Sequence, residues 1–213
     1  AALDDARVFT RTSQEHPGSL SVDILLDGSA SQNQQQEKLS TQAYILSESL
    51  TRCGIPVRVT AFCSVSGCTV LRVLRDYDQR SSDDVFDYVA VGWNRDGLAL
   101  RAMNWLLRRR PSGDRSLLLV LSDASPNDDQ PIPLSGLPVG GHGYTGERGV
   151  ADTAAEAARL RLQSVTPVCI FTGTDREVPA ARRIYGAAMT RIPSVGWFAD
   201  AVTKLLQSQL RKE

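Results

Sequence analysis

The stretch "DILLDGSASQNQQQEK", residues 23–38, places a hydrophobic run directly before one carboxylate and two hydroxyl groups. Asp27, Ser29 and Ser31 occupy positions i, i+2 and i+4 at the end of that run. A strand-end turn followed by a helix N-cap uses the same residue types, so the stretch alone leaves that interpretation open. The spacing also aims three oxygen-bearing side chains at one place, which is what a metal site requires.

A second hydrophobic run, "RSLLLVLSD" at 115–123, also ends in an aspartate, Asp123. Both runs are short and almost continuously apolar, which is typical of strands buried on both faces of a parallel sheet. Between them, the loop "GWNRDGLALR" offers a further oxygen ligand, from Asp96 or Asn94. Because Mg²⁺ prefers oxygen ligands and is held by one or two carboxylates in many proteins, the three segments predict a Mg²⁺ site.

The hydrophobic periodicity predicts the element order βαββααβαβαβα. Strands that alternate with helices favour a doubly wound, mostly parallel six-stranded sheet with helices on both faces and one antiparallel edge strand, "CTVLRVLRDYD". The pattern also predicts a helix from about residue 33 to 52, a short serine-capped helix in "SSDDVFDYVAVG" and a long Pro/Gly-rich loop over 124–149. Ligands of such sheets bind outside the carboxyl ends of the strands, where both predicted aspartates lie.

The length and composition of the chain bound its organisation. At 213 residues and 42% hydrophobic, it fits one globular domain, predicted at 19–213, behind a leader or linker at 1–18. The 24 basic residues balance the 24 acidic ones, which argues against nucleic acid or an anionic membrane as a partner. No segment resembles a signal peptide or approaches the ~20 apolar residues of a membrane helix. These features favour a cytoplasmic location.

The four cysteines show no CxxC spacing, and the chain has only two histidines, so a structural zinc site is disfavoured. Most of the cysteines fall in apolar segments and are predicted to be buried free thiols. They are Cys53, Cys63, Cys68 and Cys169.

The motifs "DGSAS", "NRDG" and "LLLVLSD" resemble the DxSxS, Thr and Asp elements of a von Willebrand factor A (vWA) domain, which has a Rossmann-like fold. The resemblance covers nearly the whole chain, and in that family these elements form the metal-ion-dependent adhesion site (MIDAS). It implies that Asp27, Ser29 and Ser31 are first-loop ligands and that Asp123 is the last carboxylate. It also implies that Asp96 stands at or near the threonine of the family.

More narrowly, "NRDGLALR", "LVLSDASPND" and "YTGERGVADTAAE" are similar to the vWA domains of bacterial nitric oxide reductase activation proteins and cobaltochelatase large accessory subunits, which work beside AAA+ ATPases. This resemblance implies a non-catalytic, metal-dependent protein-binding module that recognises an Asp or Glu of a partner. The implied partner is a MoxR-like or chelatase-type AAA+ ATPase or its client. The implied metal is Mg²⁺, with Mn²⁺ or Ca²⁺ as alternatives.

Two positions depart from the family pattern. The threonine loop contains no threonine, and Asp96 in its place would add a third negative charge to the site; an Asp before a helix is also a common helix cap, so that interpretation stays open. The usual glycine after the last aspartate is Ala124, a change we expect to be tolerated.

Other interpretations remain open as well. The chain could be part of an enzyme, either a chelatase subunit or a metal-dependent phosphohydrolase, although it lacks GxSxG, GxxxxGK[ST] and HExxH motifs. It could also be a metal-free scaffold. Among the remaining polar residues, Asp128 and Asp129 are predicted to be solvated loop charges, and Asp152 and Thr153 to cap a helix.

Overall fold

The computed structural model describes residues 20–109, 115–130 and 143–210. The predicted leader at 1–18 lies outside the described residues, as does the centre of the predicted long loop, 131–142. The boundary between leader and domain therefore stays a prediction.

Within the described residues, six strands form one sheet in the order β3-β2-β1-β4-β5-β6. Only β3 is antiparallel to its neighbour, and it lies at the edge, as the sequence predicts. All eight residues of β1 are buried, because helices cover both faces of the centre of the sheet. The strands are β1 (Leu20–Asp27), β2 (Val57–Val65), β3 (Cys68–Arg75), β4 (Arg115–Ser122), β5 (Val165–Phe171) and β6 (Met189–Arg191).

The five α-helices of the described part of the chain pack in two layers. Helices α1 and α5 cover one face of the sheet, and α2, α3 and α4 cover the other. In α1 the buried side chains recur at steps of three and four residues, which is why one face of this helix packs on the sheet. In the described part of the chain, no helix is long and apolar enough to cross a membrane. The helices are α1 (Gln36–Arg52), α2 (Asp96–Leu107), α3 (Gly146–Leu162), α4 (Val178–Tyr185) and α5 (Phe198–Leu210).

Three predicted boundaries differ from the structure. Helix α1 begins at Gln36, after a 3₁₀ turn at Ala30–Gln35, and α3 begins at Gly146, inside the predicted loop. The predicted helix in "SSDDVFDYVAVG" is only a 3₁₀ turn, Asp83–Asp87. It ends there because the next residues alternate between buried and exposed side chains, and Val91 N donates to Gly28 O at 2.7 Å; that pattern suits extended chain and not a helix.

The prediction of buried cysteines is wrong for three of the four. Cys169 on β5 is buried, whereas Cys63 is half-buried and Cys53 and Cys68 are exposed. Cys53 follows the last turn of α1, and Cys68 opens the edge strand β3; both places face solvent. All four thiols are free.

An ion pair within the core holds β1 against β2. Asp23 and Arg58 are register partners, and Nη2 of Arg58 lies 2.8 Å from Oδ1 of Asp23. The hydroxyl of Tyr77 donates to the other carboxylate oxygen at 2.6 Å. A one-residue slip between the strands would break this pair, so it helps to fix where the two strands end.

Candidate metal centre

The strand order reverses at the middle of the sheet. From β1 the chain crosses to β2 on one side, and it later returns through β4 on the other. The crevice at the carboxyl ends of β1 and β4 is therefore the switch point, where ligands of such sheets bind. Asp27 ends β1 and Asp123 directly follows β4, so the fold brings these two predicted site residues to the same crevice.

Gly28 lets the chain turn sharply between Asp27 and Ser29. Its N–H donates to Phe62 O at 2.7 Å, and a Cβ at this position would lie 2.9 Å from the same oxygen. Only glycine permits this close approach of two backbones. The hydroxyl of Tyr88 donates to the backbone carbonyl of Asp27, which fixes the end of the strand from the other side.

Hydrogen bonds link the four residues of the two strand ends into one chain. Ser29 N donates to Oδ1 of Asp27 at 2.9 Å, and the hydroxyls of Ser29 and Ser31 lie 2.9 Å apart. The Ser31 hydroxyl donates to Oδ2 of Asp123 at 3.0 Å, across 92 residues of sequence. The structure therefore places all four predicted oxygen donors in one cluster.

Ser122 also belongs to the site, although the sequence interpretation did not include it. Its Oγ lies 3.1 Å from Oδ2 of Asp27 and 3.2 Å from Oδ1 of Asp96, and it accepts from Ala124 N at 3.0 Å. A hydroxyl has a single proton and can donate to only one of the two carboxylates at a time. The other contact requires a proton on the carboxyl group or a neutralising cation nearby.

Asp96 reaches the same point from a third segment. It is the first residue of α2, with Arg95 in the cap position, and its carboxylate accepts from Ser122 and from Nδ2 of Asn94, the latter at 3.0 Å. The side-chain amide of Asn94 also bonds to Ser125 O and Asn127 N, so this residue ties the loop after β4 to the start of α2. Of the two alternatives that the sequence left open, Asp96 is the one that faces Asp27.

The three carboxyl groups are held in surroundings that oppose their ionisation. Burial, then the charge of Asp123, raises the pKa of Asp27 to about 7, while hydrogen bonds from Ser29 and Ser122 oppose the rise. Burial and the charges of Asp27 and Asp123 raise the pKa of Asp96 well above its usual range. Burial also raises the pKa of Asp123. Near neutral pH the cluster therefore retains protons, and full ionisation of its carboxyl groups would need a compensating positive charge.

The side chains fit a cation with hard oxygen ligands. Within the described residues, no arginine or lysine forms an ion pair with Asp27, Asp96 or Asp123. The described part of the chain contains no group of three or more carboxylate, imidazole or thiol side chains that could hold a metal ion by themselves. A cation here therefore needs the hydroxyls of Ser29 and Ser31 and water in its coordination shell, which is the donor set that suits Mg²⁺.

A cleft of about 420 Å³ opens above these residues. Asp27, Asp96 and Ser29 are buried beneath it, Asp123 is half-buried and Ser31 is exposed. The cluster is thus reached from the side of Ser31 and Asp123. The residues lining the cleft are Ser29, Ala30, Ser31, Gly92, Trp93, Asn94, Asp123, Ser125 and Asn127.

Ala124 adopts a backbone conformation that favours glycine. Its φ is 54°, in the left-handed region, while its methyl group is fully buried. A glycine, which the resemblance described above implies at this position, would relax the backbone here, and the alanine gains a buried methyl group instead. Each effect is about 1 kcal/mol, and their opposition explains how the fold accommodates the departure.

The prediction that Asp128 is a solvated charge is wrong. Its Oδ2 lies 2.6 Å from Nε of Arg95, and both side chains are buried, whereas its neighbour Asp129 is exposed as predicted. The backbone of Asp128 also pairs with that of Tyr144. The loop that borders the cleft is therefore anchored through a buried ion pair.

The capping roles predicted for Asp152 and Thr153 are also wrong, because α3 begins at Gly146 and both residues lie in its second turn. The Asp152 carboxylate accepts from Tyr144 OH at 2.7 Å, and that hydroxyl in turn accepts from Gly97 N at 3.0 Å. Tyr144 thus satisfies a free N–H in the first turn of α2, the helix that carries Asp96.

We expect Ser122→Ala to lower the free energy of unfolding by about 1 to 3 kcal/mol, because Ala124 N and Asp27 lose a buried hydrogen-bond partner. Chemical denaturation would measure it. Ser116→Ala is the matched control: Ser116 is buried on the same strand, and its hydroxyl has no hydrogen-bond partner among the described residues. Equal effects of the two substitutions would contradict a bridging role for Ser122.

Comparisons with known proteins support the fold. No family model matches the chain. The uncharacterised protein PA0525 of Pseudomonas aeruginosa is 29% identical over 158 residues, which cover 71% of this chain and 23% of that protein. The chain thus spans about a quarter of the length of this relative.

Solved structures align over most of the chain at low identity. The vWF domain of the type V pili tip protein Mfa5 from Porphyromonas gingivalis gives a TM-score of 0.63 at 10% identity, covering 90% of this chain and 95% of that one. Manganese-loaded TRAP protein of Plasmodium vivax gives 0.60 at 17% identity, covering 88% and 72%. The SpRpn10 VWA domain gives 0.57 at 14% identity, covering 88% and 95%. The protein has the Rossmann-like α/β fold of vWA domains.

Proposed function

We propose that this protein is a non-catalytic, metal-dependent protein-binding module. A divalent cation, Mg²⁺ with Mn²⁺ or Ca²⁺ as alternatives, would be held by Asp27, Ser29, Ser31, Asp96 and Asp123. The bound cation would keep an open coordination position, and a carboxylate of a partner would fill it. Recognition would then depend on one Asp or Glu of the partner protein.

One observation carries this proposal: the buried carboxyl groups of Asp27 and Asp96 and the half-buried one of Asp123 converge, and no cationic side chain among the described residues forms an ion pair with them. Burying ionised carboxylates without a counter-charge costs several kcal/mol. A protein gains from that arrangement when a metal ion supplies the positive charge. The manganese-loaded state of the TRAP protein, which shares the fold, supports the choice of a divalent cation.

The gradient of exposure supports binding over catalysis. The most buried carboxyl groups, Asp27 and Asp96, would neutralise the cation from below, and the cleft leaves its upper side accessible through Ser31 and Asp123. On that accessible side the Ser31 hydroxyl donates to the Asp123 carboxylate, so the hydroxyl is already paired and is not presented as a free nucleophile. Turnover of a phosphoester by the isolated protein would favour a hydrolase instead.

The identity of the partner rests on the resemblance of the three motifs quoted above. By that resemblance, the partner is a MoxR-like or chelatase-type AAA+ ATPase or its client, and the assembly activates or metallates another enzyme. Binding of a purified ATPase of this type from the same source can be compared between the wild-type protein and Asp27→Ala, both in Mg²⁺. Equal binding by the two folded proteins would favour a metal-free scaffold.

The proposed metal site is tested by calorimetric titration of Mg²⁺, then Mn²⁺, into protein stripped by a chelator. We expect saturable binding that is lost in Asp27→Ala and in Asp123→Ala, because each removes a carboxylate from the cluster. Asp129→Ala is the matched control, since its carboxylate is exposed in the neighbouring loop. Circular dichroism would establish that each variant is folded. No binding by the wild-type protein, or undiminished binding by Asp27→Ala, would overturn the proposal.

A further inference from the structure

Trp93 stands at the rim of the cleft that holds the proposed metal site. It lines this cleft beside Ser29, Ser31 and Asp123, and 41% of its surface is exposed. An exposed indole beside a polar site offers a partner a large apolar area next to the polar groups. Exposed tryptophans at such places are enriched among the residues that dominate protein interfaces.

The backbone holds Trp93 rigidly in this position. Trp93 N donates to Ser64 O at 2.9 Å, and Ser64 N donates to Trp93 O at 2.7 Å. The preceding residue, Gly92, has a φ of 79°, and a Cβ there would lie 2.5 Å from Ser64 O. The turn thus requires glycine, and a side chain presented from a pinned backbone loses little entropy on binding.

An apolar ridge continues from Trp93 away from the cleft. Val89 and Val91 are each 51% exposed and alternate with buried Tyr88 and Ala90, as in an extended chain. Beside these valines, a groove of about 150 Å³ runs between the ridge and strand β3, where Val70 lines it. Val91 lines the groove and the next residue, Gly92, lines the polar cleft, so the two depressions are neighbours on the surface.

We propose that Trp93 determines which carboxylates the site accepts, selecting an acidic residue that is followed by large apolar side chains. The inference rests on the proposed function and adds the chemistry of the partner segment. The carboxylate would complete the coordination shell of the metal ion, and the next apolar side chain would pack on the indole and the adjoining valines. That contact excludes water from the metal–carboxylate bond and strengthens its electrostatic attraction.

The test compares two simple probes, acetate and 3-phenylpropionate, in the presence of Mg²⁺ by ligand-observed nuclear magnetic resonance. We expect the wild-type protein to bind 3-phenylpropionate about tenfold more tightly than acetate, as stacking on an indole implies. Acetate should displace 3-phenylpropionate from the protein, since the two probes occupy the same site. Trp93→Ala should bind the two probes equally while its calorimetric affinity for Mg²⁺ stays unchanged. Trp105→Ala is the matched control, because Trp105 on α2 is 53% exposed and does not line the cleft.

Each outcome separates this inference from the proposed function. Mg²⁺ binding with equal affinity for the two probes in the wild-type protein, or a preference that survives Trp93→Ala, would overturn the role of Trp93 and leave the metal site standing. Mg²⁺ binding without any carboxylate binding would overturn both the partner chemistry and this inference. Loss of the preference in Trp105→Ala as well would assign it to general apolar adhesion, and that also overturns the inference.

Discussion

Asp128→Ala is expected to lower the free energy of unfolding by about 3 to 5 kcal/mol, the largest loss of stability that we expect from one substitution. The substitution leaves the guanidinium of Arg95 buried without its negative partner. Nε of Arg95 lies 2.6 Å from Oδ2 of Asp128, and the two side chains are 1% and 0% exposed. Urea denaturation followed by circular dichroism would measure the loss.

Two further variants separate the ion pair from the loop that carries it. Asp129→Ala removes an exposed carboxylate one residue away and should change stability by less than about 0.5 kcal/mol. The double variant Arg95→Met with Asp128→Leu should recover part of the loss, because replacing both buried charges costs less than orphaning one. A loss in Asp128→Ala no larger than that in Asp129→Ala would contradict a role for the pair.

The same pair connects the stability of the fold to the site. Arg95 also donates to Gly67 O at 2.6 Å and to Gln130 O at 3.0 Å, so it joins the β2–β3 turn to the loop after β4. That loop contributes Asn127 to the wall of the cleft. We therefore expect the orphaned arginine to disturb the cleft as well as the core.

The sequence predicts the fold well because the fold depends on periodicity. Continuous apolar runs at β1 and β4 indicated strands buried on both faces, and a three-to-four repeat indicated α1. The aspartates that end the two runs could be placed in one crevice because parallel strands bring their carboxyl ends to one edge. The mostly parallel sheet, its antiparallel edge strand and the approach of Asp27 to Asp123 follow from these local patterns, whereas the order of the strands within the sheet does not.

Features that depend on register or tertiary pairing were not visible in the sequence. Ser122 contacts Asp27 because Leu26 pairs with Leu121, so the residues that follow these two lie side by side. An alignment of the two strands by their terminal aspartates would instead pair Asp27 with Asp123, and it gives no reason to expect Ser122 in the site. Asp128 resembles any loop carboxylate until the fold brings Arg95, 33 residues earlier in the chain, against it. The extended run at 88–92 falls within the predicted helix because its residues are all apolar or glycine, so the alternation of buried and exposed side chains does not show in the sequence.

In metal-free protein, stability is expected to fall as the pH rises from about 4 to about 8. The pKa of Asp27 is about 7 in the folded protein, against 3.8 for an unperturbed aspartate in the unfolded chain. Between these two pH values the folded state therefore binds more protons than the unfolded state. Stability must then decrease with pH across that window. A difference of roughly three pKa units corresponds to on the order of 4 kcal/mol, and Asp96 and Asp123 act in the same direction.

Magnesium should oppose this trend, because a cation binds the ionised carboxylates and is excluded by their protons. Thermal unfolding in chelator and in saturating Mg²⁺, between about pH 5 and about pH 8, should show a stabilisation by the metal that grows with pH. Asp27→Asn removes the titrating group while keeping its shape, so metal-free Asp27→Asn should be more stable than the wild-type protein near pH 8 and gain less from Mg²⁺. The ionised carboxylates would thus lower the stability of the metal-free protein at the same pH at which they bind the metal ion. Two results would contradict this link between lower stability and metal binding. One is a stability in chelator that rises between about pH 5 and about pH 8, and the other is a stabilisation of Asp27→Asn by Mg²⁺ as large as that of the wild-type protein.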